Sequence, residues 1–97
     1  MLFLVRIAID CPREASEEER SLLVDRESAR ARELADSGHL VRLWRTEGGW
    51  GNVGLWAATD ASELRTLLCS LPLHRWMRID IERLLEHPSD PGGESTP

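Results

Sequence analysis

Along this chain the hydrophobic residues switch between a two-residue period and a helical period in one order: strand, helix, strand, strand, helix, strand. The first run sets the strongest constraint. Phe3, Val5, Ile7 and Ile9 alternate with Leu2, Leu4, Arg6 and Ala8. Both faces of that strand are nearly apolar, which predicts a central place in a sheet. Pro12 closes it. Ser16, followed by Glu17, Glu18 and Glu19, is a helix start. Ser16 caps, Glu19 supplies the return arm of a capping box, and the acids suit the positive end of the helix dipole. The helix reads from Glu17 to Ser37 and stops at Gly38, a left-handed cap.

Leu40 to Arg45 is the second strand. Thr46-Glu47-Gly48-Gly49 carries the glycines a hairpin needs, and Trp50 to Ala58 is the third strand. Asp60 caps a shorter helix through about Ser70, with Glu63 at its third position; Pro72 blocks its continuation. Trp76 to Ile81 is the fourth strand, where Met77, Ile79 and Ile81 alternate with Arg78 and Asp80. This order predicts an α+β, ferredoxin-like βαββαβ fold: a four-stranded antiparallel sheet with two helices on one face. The other face needs cover as well. Four tryptophans among 97 residues are more than so small a core encloses. The expectation is therefore a homodimer that buries its sheet faces as a dimeric α+β barrel, or a larger ring. Residues 1–89 make one domain, and 90–97, rich in Pro, Ser, Gly and acids, make a flexible tail.

Composition excludes several classes. A net charge of −5 without a basic cluster argues against nucleic-acid binding. All twelve cations are Arg, which rules out Schiff-base chemistry through a lysine. Cys11 and Cys69 are too few for a disulfide framework and have no zinc spacing, so the expected compartment is the cytoplasm. The apolar start contains Arg6 and Asp10; it is too short for a membrane span and lacks a signal-peptide layout. No nucleotide, flavin or metal motif appears, and the thiols have no flanking His arrangement for nucleophilic catalysis.

One residue breaks the pattern. The apolar stripe of the first helix passes through Leu23, Ala31 and Leu34, and Glu27 lies on it. A carboxylate facing a core is expensive unless it is paired, protonated or used in proton transfer. Either Glu27 leans to the helix edge or pairs with Arg30 or a strand arginine, or it is a base with a raised pKa. Strand parity puts Trp50, Asn52, Gly54 and Trp56 on one face. If that face looks toward the first helix, Glu27, Trp50 and Asn52 meet in one pocket. A base, an amide donor and an aromatic wall suffice to move a proton beside a carbonyl. The plainer alternatives are a turn-capping role for Asn52 and ordinary packing for Trp50. Arg42 and Arg45 flank Trp44, and either can bind an anionic substrate group or simply face solvent. His39 and His74 sit at element ends and read as solvated. His87, at the start of the tail, is placed to close a neighbour's pocket.

The segments MLFLVRI, LWRTEGGWGN and LPLHRWMRIDIERLLEHPS together resemble the muconolactone Δ-isomerase family, including its chloromuconolactone dehalogenase relatives. The resemblance runs from Met1 to about Ser89. It implies a ferredoxin-like subunit, barrel dimers assembled into rings, and no cofactor or metal. The implied reaction is a 1,3-proton shift through a dienolate in an unsaturated lactone bearing a carboxymethyl group. By position, the family's helix glutamate falls on Glu27 and its asparagine after the hairpin on Asn52. Trp50 and Trp76 stand where the family commonly has tyrosine, and Leu55-Trp56-Ala57 replaces a Phe-Asp-Val segment, which suggests a reshaped site.

The reading is thus a cofactor-free isomerase with Glu27 as base and Asn52 as enolate stabiliser. Trp50, Trp56 and Trp76 form the walls, Arg45 is the carboxylate-binding candidate, and His87 is a further substrate-binding candidate. Its partners are a small lactone and copies of itself. The alternatives are a cyclase or isomerase of the same scaffold acting on a bulkier polyketide-like intermediate, or a non-catalytic ligand-binding oligomeric module.

Overall fold

The computed structural model describes residues 1–10 and 13–92. Pro12, expected to end the first strand, and Cys11 lie outside the described residues, as do residues 93–97 of the expected tail. The strands are β1 (Leu2–Ile9), β2 (Leu40–Arg45), β3 (Gly51–Ala57) and β4 (Met77–Leu84). The helices are α1 (Glu17–Asp36) and α2 (Ala61–Cys69). The sheet is antiparallel with the order β2-β3-β1-β4. This is the ferredoxin-like arrangement, and the doubly apolar β1 lies between β3 and β4.

Local chemistry accounts for the element ends. Ser16 accepts from the Glu19 backbone N–H at 3.1 Å, and Asp60 Oδ1 accepts from that of Glu63 at 2.7 Å, each satisfying an orphan donor of the first turn. The return arm of Glu63 reaches Thr59 N, one residue before the cap. Gly38 ends α1 with φ +86°, a left-handed conformation that glycine adopts without penalty.

Two strands, β3 and β4, differ from the sequence expectation at their ends. β3 starts at Gly51, leaving Trp50 in the hairpin turn, though its carbonyl still accepts from Ile9 N at 2.8 Å. β4 runs on to Leu84, and Trp76 precedes it in a 3-10 turn (His74–Trp76). Glu82-Arg83-Leu84 carries no alternating signal, but β1 pairs with β4 as far as Leu2 opposite Leu84. The partner strand, not side-chain pattern, extends it.

Phe3, Val5 and Ile7 of β1 and Trp56 of β3 form one buried cluster with Leu34 of α1 and with Leu64 and Leu68 of α2. Both helices therefore cover the same face. Leu71 and Leu73, after α2, are also buried. On the opposite face, Leu2 and Trp44 are 43% and 45% exposed. Among the described residues no helix is long and apolar enough to cross a membrane.

Candidate active site

Glu27 sits midway along α1, on the inner stripe, half-buried. Its Oε1 accepts a hydrogen bond from the Leu73 backbone N–H at 3.0 Å. The turn after α2 makes this bond possible. Pro72 stops the helix, and buried Leu71 and Leu73 anchor the turn beneath α1. Among the described residues Glu27 has no ion-pair partner. Arg30, the expected local partner, instead donates to Ser70 Oγ at 3.0 Å and to Glu33 Oε2 at 2.9 Å. Burial pushes the Glu27 carboxyl above the ordinary carboxylate range, and the Leu73 N–H partly offsets this.

Glu27 opens onto a cavity of about 600 Å³, a size suited to a small ligand. Trp50, Asn52 and Arg45 line it from the hairpin side, Val24 and Ser28 from α1, and Leu43 from β2. The helix-facing parity of Asn52 follows from its pairing with Ile7, which is buried under the helices. Arg45 stands opposite Asn52 on the edge strand. Trp50 remains 42% exposed at the mouth. The lining thus combines one carboxylate with weakened acidity, one neutral amide, one guanidinium and an aromatic plane. Such a set can bind an anionic group, take a proton and donate to a developing enolate oxygen.

Three expected site residues lie elsewhere. Trp56 shares the parity of Asn52 but is 2% exposed in the core, beside Phe3 and Leu40 at the far end of β3 from the hairpin. It is not a wall of the cavity. Trp76 lines a separate cavity of about 890 Å³ that, among the described residues, shares only Ile9 with the first. The 3-10 turn puts it there, with its carbonyl held by Asp10 N at 2.8 Å and Arg75 stacked on its ring. His87 lies past β4, exposed, with Nδ1 accepting from Ser89 N, and is not on the Glu27 cavity of its own chain.

Arg42 takes the solvent-facing alternative, and the histidines differ from expectation. Arg42 stacks on Trp44, 4.9 Å from the ring centroid, rather than reaching the cavity. His39 is half-buried, its Nδ1 2.9 Å from Ala57 O. His74 Nε2 lies 3.6 Å from Cys69 Sγ, a Cys–His proximity that spacing did not reveal. Sequence reasoning also missed the Leu73 N–H, Val24 and Leu43. Val24 is three residues before Glu27 and Leu43 two before Arg45, so helical and strand spacing carried both. A backbone N–H freed after a proline carries no comparable signal. Among the described residues no group of three or more His, Cys, Asp or Glu side chains is placed to hold a metal ion.

Fold and cavity define a class: a small ferredoxin-like α+β protein that presents a carboxylate, a carboxamide and a guanidinium to one ligand-sized cavity. Comparison with known proteins narrows it. The family model described as muconolactone delta-isomerase matches residues 1–90. The muconolactone Delta-isomerase of Rhodococcus opacus is 35% identical over 89 residues, covering 92% of this chain and 96% of that protein. That of Cupriavidus pinatubonensis is 34% identical, covering 92% and 97%. The crystal structure of muconolactone isomerase superposes with a TM-score of 0.87 at 28% identity, covering 97% of this chain and 98% of that one. The chain belongs to the muconolactone Δ-isomerase family.

Proposed function

We propose that this protein, a cytoplasmic enzyme of aromatic-compound catabolism, isomerises muconolactone to 3-oxoadipate enol-lactone. Its relatives carry the name of that activity. The observation that carries the reading is Glu27: half-buried, outside any ion pair among the described residues, raised in pKa, and facing a cavity with Asn52 and Arg45. Glu27 removes the ring proton at the carbon bearing the carboxymethyl group. The C–H electron pair moves through the conjugated double bond onto the lactone carbonyl oxygen. Asn52 Nδ2 donates to that oxygen in the dienolate. Glu27 then returns the proton to the carbon beside the carbonyl, and the double bond has shifted. No electron leaves the substrate, so the cycle needs no redox partner. Arg45 holds the carboxylate, and Trp50 walls the mouth and keeps water from the base.

The folded unit in this reading is residues 1–89, and it self-associates through the open sheet face, where Leu2 and Trp44 remain exposed. The deciding experiment is turnover of muconolactone in heavy water, followed by ultraviolet absorbance and by mass. Isomerisation abolished in Glu27→Gln is the expected result, with deuterium at the carbon beside the carbonyl only to the extent that the proton held on Glu27 exchanges with solvent before its return. No reaction from folded protein would overturn the assignment and direct the search to larger enolisable carbonyl compounds.

A further inference from the structure

Two buried side-chain polar atoms lack a hydrogen-bond partner among the described residues: Asn52 Oδ1 and the Trp56 indole Nε1. Buried orphans are uncommon and unfavourable, so two of opposite kind on one strand are informative. The amide oxygen can only accept and the indole N–H can only donate. Both residues lie on the helix-covered face of β3, with Gly54 between them. The indole does not stand upright on the sheet. It lies back along the strand toward Asn52, because a Cβ on Gly54 would meet Nε1 at 2.6 Å and Cδ1 at 3.1 Å. The N–H edge of the ring is the part that covers Gly54. Phe3, Val5 and Ile7 flank this row on β1, and none offers a side-chain donor. Arg45, opposite Asn52 on β2, makes no hydrogen bond to it.

We propose that Trp56 is a positioning residue for Asn52, its indole N–H holding the carboxamide oxygen through one bridging water. This rests on the enolate-stabilising role proposed for Asn52 and explains how that role is secured. A primary amide has an acceptor end and a donor end of nearly the same shape. Only the donor end stabilises an enolate. A donor-only group behind the amide selects the orientation that turns Nδ2 toward the cavity. Gly54 is part of the device, since any side chain there would displace the indole. The tryptophan that strand parity suggested as a wall thus acts from beneath the cavity.

The chain suits a direct test, because Asn52 is its only Asn and it has no Gln. The side-chain NH₂ pair in a ¹⁵N spectrum therefore belongs to Asn52 alone. Two replacements at position 56 separate packing from donation: Trp56→Phe, and benzothienylalanine, which keeps the ring shape but carries sulfur where the N–H was. Both should lower kcat about 3- to 10-fold, the worth of one hydrogen bond, with KM within about twofold. Both should also shift the Asn52 NH₂ pair. Gly54→Ala, which keeps the indole but moves it, should shift the same pair.

Full kcat and an unmoved NH₂ pair with benzothienylalanine would show that Trp56 only packs, and would overturn the proposal. If neither replacement folds, the unsubstituted protein decides. A Trp56 indole proton exchanging with solvent as fast as those of exposed Trp44 and Trp50 would also overturn it. Asn52→Ala keeps the two failures distinct. Lowered kcat there with an inert position 56 leaves the enolate role standing, whereas full kcat removes that role and the positioning with it.

Discussion

Glu27→Asp keeps the charge and the chemistry of the base but withdraws it by one carbon–carbon bond, about 1.5 Å. In the parent, Oε1 lies 3.0 Å from Leu73 N. Drawn back along the side chain, the oxygen stands roughly 4.5 Å away, beyond hydrogen-bonding range. Two independent estimates then agree. A hydrogen bond to a charged group is worth about 1.5–3 kcal/mol, which corresponds to roughly 10- to 150-fold in rate. A misplacement of about 1 Å in a reacting group costs roughly 100-fold. We therefore expect kcat on muconolactone to fall about 100-fold, with KM changed less than about threefold because Arg45 and Trp50 are untouched. Stopped-flow or steady-state absorbance measures both constants, and circular dichroism checks the helix. Parent-like kcat in Glu27→Asp, or a loss confined to KM, would refute the claim that the Leu73 contact places the base.

Further outcomes follow from the same geometry. The base form of Glu27 does the chemistry, so kcat/KM should fall as pH drops through a midpoint above the ordinary carboxylate value, in the direction burial imposes; a midpoint at or below that value would exclude Glu27. For stability the sign runs the other way. The folded state binds this proton more tightly than the unfolded chain, so the contribution is greatest below the unfolded pKa and is lost as pH rises through the folded one. Glu27→Gln should therefore gain in Tm relative to the parent as pH rises from 4 to 8, measured by thermal melts. Arg45→Met should raise KM for the carboxylate-bearing lactone about 10-fold, with little effect on kcat and none on its neutral methyl ester. Gly54→Ala should destabilise by about 1–3 kcal/mol, because its Cβ meets the Trp56 ring at 2.6 Å. Leu64→Ala, at a fully buried site, should cost about 2–5 kcal/mol in urea unfolding.

How much of the site was legible in the sequence can be judged residue by residue. Glu27 stood out because a carboxylate on an apolar helical stripe contradicts its surroundings, and such a contradiction is visible locally. Asn52 and Trp50 followed from strand parity, and the structure brings both to the Glu27 cavity. Parity alone also implicated Trp56, since it tells which face a side chain takes but not how far along the strand the cavity extends. Trp76 was misplaced for a related reason: its contacts are set by the turn that precedes β4, not by the strand pattern.

The sequence by itself determined the element order, both N-caps, the glycine stop of α1 and the central place of β1. Each depends on neighbours within a few residues, through backbone preference, side-chain capping or hydrophobic period. Tertiary structure decided what those elements do together. The Leu73 N–H reaches Glu27 across 46 residues of chain, β1 extends β4 past its own signal, and the core closes over Trp56 while leaving Trp50 at the mouth. The physical reason is that burial, desolvation and hydrogen-bond partnership are properties of a packed volume. A run of residues states which side chains prefer to be inside, and only packing states which of them meet.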